Sequence, residues 1–275
     1  MNNLLRANFS RLRKAGVVWG GALVCVALAA FTTYTHVSDQ RELGVVFLLD
    51  VTFFIYTIIV GFLMSIIAST TLGTEYSDGT FRNKLSVGHL RRDVYLSNLI
   101  SMTAVSWFYC AVYMLAAAAF GVPFAGWLTA NGKAIAIVIV GSLLLEMAFS
   151  AIYTCISMNC SQKATTAILC ILVFFAMMIA STYVFRMLEA APEHVAYHMS
   201  LDGEPEMVME PNPHYLEGTK RAADEFLNDL IPTGQAVQYY IIEFAHPVRM
   251  MLCALGITAV STGAGLFFFQ RKDLK

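Results

Sequence analysis

The chain has 275 residues, of which 57% are hydrophobic and only 13% are charged, and its formal net charge is −1. A soluble globular domain carries about 25% charged residues, and a fold of this size cannot cover so much apolar side chain with its own polar surface. These values exclude an ordinary soluble domain, and the near-neutral charge does not indicate a nucleic-acid partner.

The first fourteen residues predict an amphipathic helix. Its apolar residues fall on one helical face: Leu4, Leu5, Phe9 and Leu12. Basic residues surround that face, which suits a helix lying in the headgroup plane of a lipid bilayer. The alternative is a flexible basic tail.

Six apolar runs follow, at residues 15–34, 45–72, 97–120, 134–157, 164–185 and 248–269. About 20 apolar residues at 1.5 Å rise cross a hydrocarbon core of about 30 Å. Because lipid offers no hydrogen bonds to the backbone, each run is expected to be helical. The sequence therefore predicts an all-α polytopic membrane protein with six transmembrane helices.

The distribution of basic residues predicts the orientation of these spans in the membrane. The two termini and the loops at 73–96 and 158–163 hold most of the 18 Lys and Arg residues. The segment 186–247 instead has eleven acidic residues against three basic ones. The positive-inside rule then predicts that both termini are cytoplasmic and that residues 186–247 are extracellular.

The cytoplasmic loop after the second span predicts a short helix over residues 80–85. Ser77 and Asp78 are candidate N-caps for it, and Phe81 and Leu85, at i and i+4, would form its apolar stripe. An ordinary basic connector that only fixes topology is the alternative.

Two acidic residues fall within the spans. Glu146 lies near the middle of the fourth span, and Asp50 lies near the outer end of the second. Charged groups in spans are costly and often functional, so both are candidates for a substrate path. The alternatives are a hydrogen bond from Glu146 to a neighbouring helix and a position of Asp50 at water level.

Small residues recur in the first and last spans. Gly16 and Gly20 are four residues apart, and Gly256 and Gly263 lie in the last span. Such faces let helices approach closely. They predict packing within the chain, with a seam between two copies as the alternative.

The segment 186–247 is expected to begin as a solvated loop or small cap. Residues 220–244 read as helical, with an interruption at residues 232–234. That pattern predicts a helix that dips into the outer leaflet and turns back, which would make Leu230, Pro232 and Gly234 an outer gate. Its histidines have no strong metal-binding spacing, so no metal is expected. An acidic cap of this kind could attract cationic peptides.

The loop carries a longer pattern, Glu75-Tyr76-x-x-Gly79-Thr80-x-Arg82-Asn83-Lys84-Leu85-Ser86-x-Gly88. This pattern resembles the cytoplasmic loop of type-two ATP-binding-cassette exporter permeases, particularly bacterial forms linked to antimicrobial-peptide and bacitracin export or immunity. Residues 230–235 and the tail at 269–273 are also similar to that family.

The resemblance implies that residues 77–86 are a coupling helix that docks on a separate ATPase subunit. The coupling residues would be Glu75, Asp78, Gly79, Thr80, Phe81, Arg82, Asn83, Lys84 and Leu85. It also implies a second permease chain, identical or similar, and a bacterial cytoplasmic membrane. ATP and Mg²⁺ would bind to the ATPase, since this sequence has no Gly-x-x-x-x-Gly-Lys-Ser/Thr loop and is not expected to be an enzyme or to hold a cofactor.

These interpretations divide the chain into an interfacial helix (1–14), five spans with the coupling helix (15–185), an extracellular segment (186–247) and a last span with its tail (248–275). The predicted function is export of an amphipathic peptide or toxin. The alternative is a membrane receptor or regulator that senses a ligand through the acidic outer segment and transports nothing.

Overall fold

A computed structural model describes residues 1–43, 48–199, 205–213 and 215–272. Residues 45–47 of the predicted second span and residue 273 of the tail motif lie outside this described part. The helices are α1 (Asn2–Lys14), α2 (Gly16–Leu43), α3 (Asp50–Phe53), α4 (Tyr56–Ser77), α5 (Thr80–Ser86), α6 (Arg91–Ala125), α7 (Gly132–Asn159), α8 (Lys163–Leu188), α9 (Gly218–Leu230), α10 (Pro232–Ile241) and α11 (Pro247–Arg271). Two strands, β1 (Glu193–Met199) and β2 (Pro205–Pro211), lie between α8 and α9.

Six of these helices, α2, α4, α6, α7, α8 and α11, are long and apolar enough to cross a membrane. This confirms the predicted all-α polytopic class. The third span is longer than expected, because α6 extends from Arg91 to Ala125 instead of covering 97–120. The second is shorter, because α4 begins only at Tyr56, after the short helix α3.

The bundle has two distinct ends. The junction end holds α1, α5 and the end of α11, because α1 packs on α6 and Phe81 of α5 contacts Phe269 of α11. The cap end holds the end of α8, the strands, α9 and the start of α11. Since α4, α6, α7 and α8 alternate in direction, each joins the two ends.

The cap contains an antiparallel hairpin that the sequence did not predict. Glu193 pairs with Pro211, and Met199 pairs with Pro205. The two prolines bound β2, where a missing N–H is best tolerated. The prolines around this segment concealed its strands, because a proline within an apolar run argues against a strand.

The helix α10 is inserted among the spans α4, α7 and α8. Pro232 begins it, where the missing N–H costs nothing, and Gly234 follows in its first turn. A Cβ atom on Gly234 would overlap the carbonyl oxygen of Asn228, so only glycine allows α9 and α10 to approach this closely.

The predicted packing at the small residues of the first and last spans is wrong. Among the described residues, no atom from another part of the chain comes within 4 Å of a Cβ built on Gly16, Gly20, Gly256 or Gly263. Helices instead approach closely at glycines that face aromatic rings: Gly21 at Tyr109, Gly61 at Phe149, Gly141 at Tyr239 and Gly265 at Tyr95. The sequence shows small residues but not which side of a span faces the bundle.

Candidate functional site

The turn between α4 and α5 differs from the one predicted. Ser77 donates its hydroxyl to the carbonyl of Gly73 at 2.9 Å, and the backbone N–H of Asp78 donates to Thr74 at 2.9 Å. Both residues therefore end α4 and do not cap α5. Gly79, with φ of +66°, makes the turn, and its left-handed conformation suits glycine best.

An aromatic cluster anchors α5 to the bundle. Phe81 is buried, with its ring centroid 6.0 Å from that of Tyr76 and 6.1 Å from that of Phe269. Tyr95 of α6 lies 6.3 Å from Phe269. Edge-to-face pairs of this kind contribute about 0.5–1.5 kcal/mol each beyond their buried area. Phe81 thus fixes α5 to α4 and α11, and through them to α6.

Arg91 fixes the end of α11 at the same place. Its guanidinium donates to the carbonyls of Phe269 at 2.9 Å and of Gln270 at 3.1 Å. These carbonyls belong to the last turn of a helix, where a cation is favoured by the helix dipole. Lys272 adds a bond of 2.9 Å to the carbonyl of Asn159, so the ends of α6, α7 and α11 are joined.

A group of charged and amide side chains lies beside this cluster, and we call it the charge junction: Asn8, Arg11, Glu75, Lys84 and Asn98. Glu75 is 2% exposed, and its carboxylate pairs with Arg11 and, at 2.9 Å, with the ammonium of Lys84. Lys84 also donates to Asn8 at 3.0 Å, and Asn8 donates to Asn98 at 2.8 Å. One connected network therefore links α1, α4, α5 and α6.

Burial lowers the pKa values of both cations of the charge junction. Burial lowers the pKa of the Arg11 guanidinium, and the nearby Asp78 carboxylate acts against that shift. Burial, with the Arg11 charge, lowers the pKa of the Lys84 ammonium to about 8. Glu75 contacts both cations, and an adjacent opposite charge stabilises a charged group. One carboxylate thus holds two partly buried cations in place.

The sequence did not identify Asn8, although the spacing could have revealed it. Leu4, Asn8 and Leu12 are the buried residues of α1, at i, i+4 and i+8, and they face α6. Phe9, expected on the same face as the leucines, is exposed. A polar residue between two leucines at helical spacing indicates a buried hydrogen bond, here to Asn98.

The open surface beside α5 is only partly the one predicted. Of the nine predicted coupling residues, Asp78, Arg82 and Asn83 are exposed, while Phe81 and Glu75 are buried. The sequence missed Val87 and Leu90, which are 80% and 54% exposed just after α5. We call Arg82, Asn83, Val87 and Leu90 the docking face. It combines apolar and polar groups, as protein interfaces do.

Glu146 lies in α7, in the middle of the bundle. It is 0% exposed, and neither carboxylate oxygen has a hydrogen bond to any residue that the structure describes. One turn to either side, Ser142 bonds to Tyr56 at 2.7 Å and Ser150 bonds to Ser106 at 3.3 Å. Glu146 therefore lies between two hydrogen-bonded serines of a polar stripe on α7.

The remaining predicted residues lie toward the cap end. Asp50 accepts bonds from the Thr129 backbone at 2.9 Å and from its hydroxyl, so it holds the loop between α6 and α7. Pro232 and Gly234 are buried in the bundle, whereas Leu230 is exposed. The three predicted gate residues are thus divided between the core and the surface.

The sequence matches a known protein family. A family model described as ABC-2 family transporter protein matches residues 4–274. No curated protein matches the sequence. The matched range includes the charge junction, α5 and all six long helices.

Proposed function

Because this chain belongs to the ABC-2 family of transporter proteins, we propose that it passes the energy of ATP hydrolysis on a separate subunit to the export of an amphipathic peptide or toxin. Family membership makes it a multi-pass membrane protein and the permease subunit of an ABC exporter, not the ATPase. The partner ATPase would bind ATP and Mg²⁺. A second permease chain, identical or similar, would complete the transporter.

The observation that carries this proposal is that α5 is fixed on one side and open on the other. Phe81 and Lys84 attach it to α4, α11 and α1, while Arg82, Asn83 and Val87 are exposed. A rigid element that is exposed at one face can transmit a displacement from a partner to the helices behind it. A flexible loop would absorb the same displacement.

The direction of coupling follows from differential binding. ATP would hold two ATPase subunits together, and it shifts the permease only if the closed pair prefers one arrangement of α5. The basic residues at the junction end support a cytoplasmic position for α5 and for both termini, in a bacterial cytoplasmic membrane. The unpaired Glu146 supports cargo with a cationic group, because an intramembrane carboxyl group without a partner is a functional candidate.

The proposal is tested by charging the docking face. In the double variant Val87→Asp/Leu90→Asp we expect the complex purified through this chain to keep less than a tenth of its vanadate-sensitive ATP hydrolysis. Surface substitutions usually change stability by only about ±0.5 kcal/mol, so the permease itself should remain folded.

The matched control is Met207→Asp/Met209→Asp, which charges two exposed methionines of β2 at the opposite end. It should leave ATP hydrolysis at the wild-type level. Equal hydrolysis in both double variants would refute docking at α5. A wild-type complex without any vanadate-sensitive hydrolysis would favour the receptor alternative.

A further inference from the structure

The side of α1 that faces away from the bundle is basic. Its buried side, with Leu4 and Leu12 each 3% exposed, packs on α6. Arg6, Phe9 and Arg13 are exposed and lie at i, i+3 and i+7, a spacing that places their side chains on one side of a helix. We call these three residues the basic face. The leucines of α1 therefore contact protein, and the basic face meets the surroundings of the protein.

The cations of the basic face are not neutralised by the described part of the chain. Neither Arg6 nor Arg13 forms an ion pair or a side-chain hydrogen bond with a residue that the structure describes. Helix α1 also contains no acidic residue. Arg11, on the other side of the helix, pairs with Glu75 in the charge junction. The basic face is therefore free to bind an external anion.

Contacts with two spans place α1 at the level of a membrane surface. The Asn8 amide donates to Asn98 at 2.8 Å, and Asn98 lies where the apolar run of α6 begins, at residue 97. Near the end of α1, the indole N–H of Trp19 donates to the backbone carbonyl of Arg13 at 2.8 Å. Trp19 is 54% exposed at the start of α2, and tryptophan is enriched where a span meets the lipid headgroups. Helix α1 therefore lies at headgroup level.

We propose that the basic face of α1 binds anionic phospholipids. The guanidinium groups of Arg6 and Arg13 bind the lipid phosphate, whose oxygens match the paired N–H donors of arginine. Phe9, which is 42% exposed, packs against the first carbons of an acyl chain. The basic face lies on the opposite side of α1 from the charge junction and needs no ATPase, so its test is independent of the proposed function.

The test compares two lipids that have the same acyl chains and differ in headgroup charge. The full chain is titrated in detergent micelles with dioleoyl phosphatidylglycerol or dioleoyl phosphatidylcholine, and bound lipids are counted by native mass spectrometry. Each basic residue at an anionic membrane surface strengthens binding about fivefold, so we expect phosphatidylglycerol to bind at least about tenfold more tightly. The double variant Arg6→Gln/Arg13→Gln should remove this preference and leave phosphatidylcholine binding unchanged. Both side chains are exposed, so the variant should fold.

The matched control is Lys133→Gln/Lys220→Gln, which removes the same total charge from two exposed residues at the cap end. It should bind phosphatidylglycerol as the wild-type chain does. An equal loss in the control would overturn the site, because net charge alone would then attract the lipid. Equal binding of the two lipids by the wild-type chain would overturn it as well.

Two further results would assign the basic face to another ligand. Displacement of phosphatidylglycerol by water-soluble glycerol phosphate at the same concentration would show that the face binds free phosphate and not a lipid. An unchanged lipid preference in Arg6→Gln/Arg13→Gln, together with the loss of a co-purified ATPase, would show that the face contacts a protein.

Discussion

The two buried glutamates of this protein, Glu75 and Glu146, have opposite surroundings. Glu75 is 2% exposed and contacts two cations, whereas Glu146 is 0% exposed and contacts none in the described structure. Glu75 lies at the end of a span, beside α1 and α5. Glu146 lies within a span, among hydroxyl groups that bond to each other.

This difference indicates that Glu75 stabilises the fold, whereas the burial of Glu146 lowers the stability of the fold. In a buried ion pair, the attraction between the two charges offsets much of the free-energy cost of removing them from water. Removal of one charge is therefore costly, because the other stays buried without an opposite charge. A buried carboxyl group without a partner recovers nothing. We therefore expect Glu75 to hold the charge junction together, and Glu146 to serve the proposed transport.

The largest expected effect is that of Glu75→Gln. It leaves the Arg11 and Lys84 cations together without the one buried anion that contacts both, and we expect a loss of about 3–5 kcal/mol in the free energy of unfolding. Denaturation in mixed micelles, followed by circular dichroism, measures this loss. Asp78→Asn, which removes an exposed carboxylate nearby, should cost no more than about 0.5 kcal/mol. Equal costs in the two variants would show that the charge junction does not hold the fold.

A smaller loss is expected for Lys84→Met, because Arg11 still pairs with Glu75. The substitution removes charged hydrogen bonds and should cost about 1.5–3 kcal/mol. The double variant with Glu75→Gln should be less destabilised than the sum of the two single variants, since both belong to one network. Strict additivity in the same unfolding assay would contradict this network.

The smallest effect has the opposite sign. Glu146→Met removes an unsatisfied carboxyl group and keeps a similar volume, so we expect a gain of about 1–3 kcal/mol in stability. Export of labelled cargo from cells or vesicles should fall at the same time. Leu145→Met, one residue away and also buried, controls for repacking and should cost less than about 1.5 kcal/mol. A destabilised Glu146→Met variant would mean that the carboxyl group has a structural partner.

The sequence alone determined the membrane fold and the short helix of the loop. Six apolar runs had to become helices because lipid satisfies no backbone group, and this argument needs no tertiary information. The helix at 80–86 followed from local spacing, although its cap did not, because α4 continues to Ser77. Half of the exposed docking face, Arg82 and Asn83, was also found in this way.

The tertiary structure alone decided which side chains meet. Asn8 and Asn98 are 90 positions apart, and the ion pair of Asp229 with Arg249 joins α9 to α11. No local sequence pattern therefore indicates either pair. The burial of Glu75 with two cations, and the absence of a hydrogen bond to Glu146 from the described residues, both depend on the rotation of each helix about its own axis. Hydropathy fixes the length of a span, but its rotation is fixed only by packing against its neighbours.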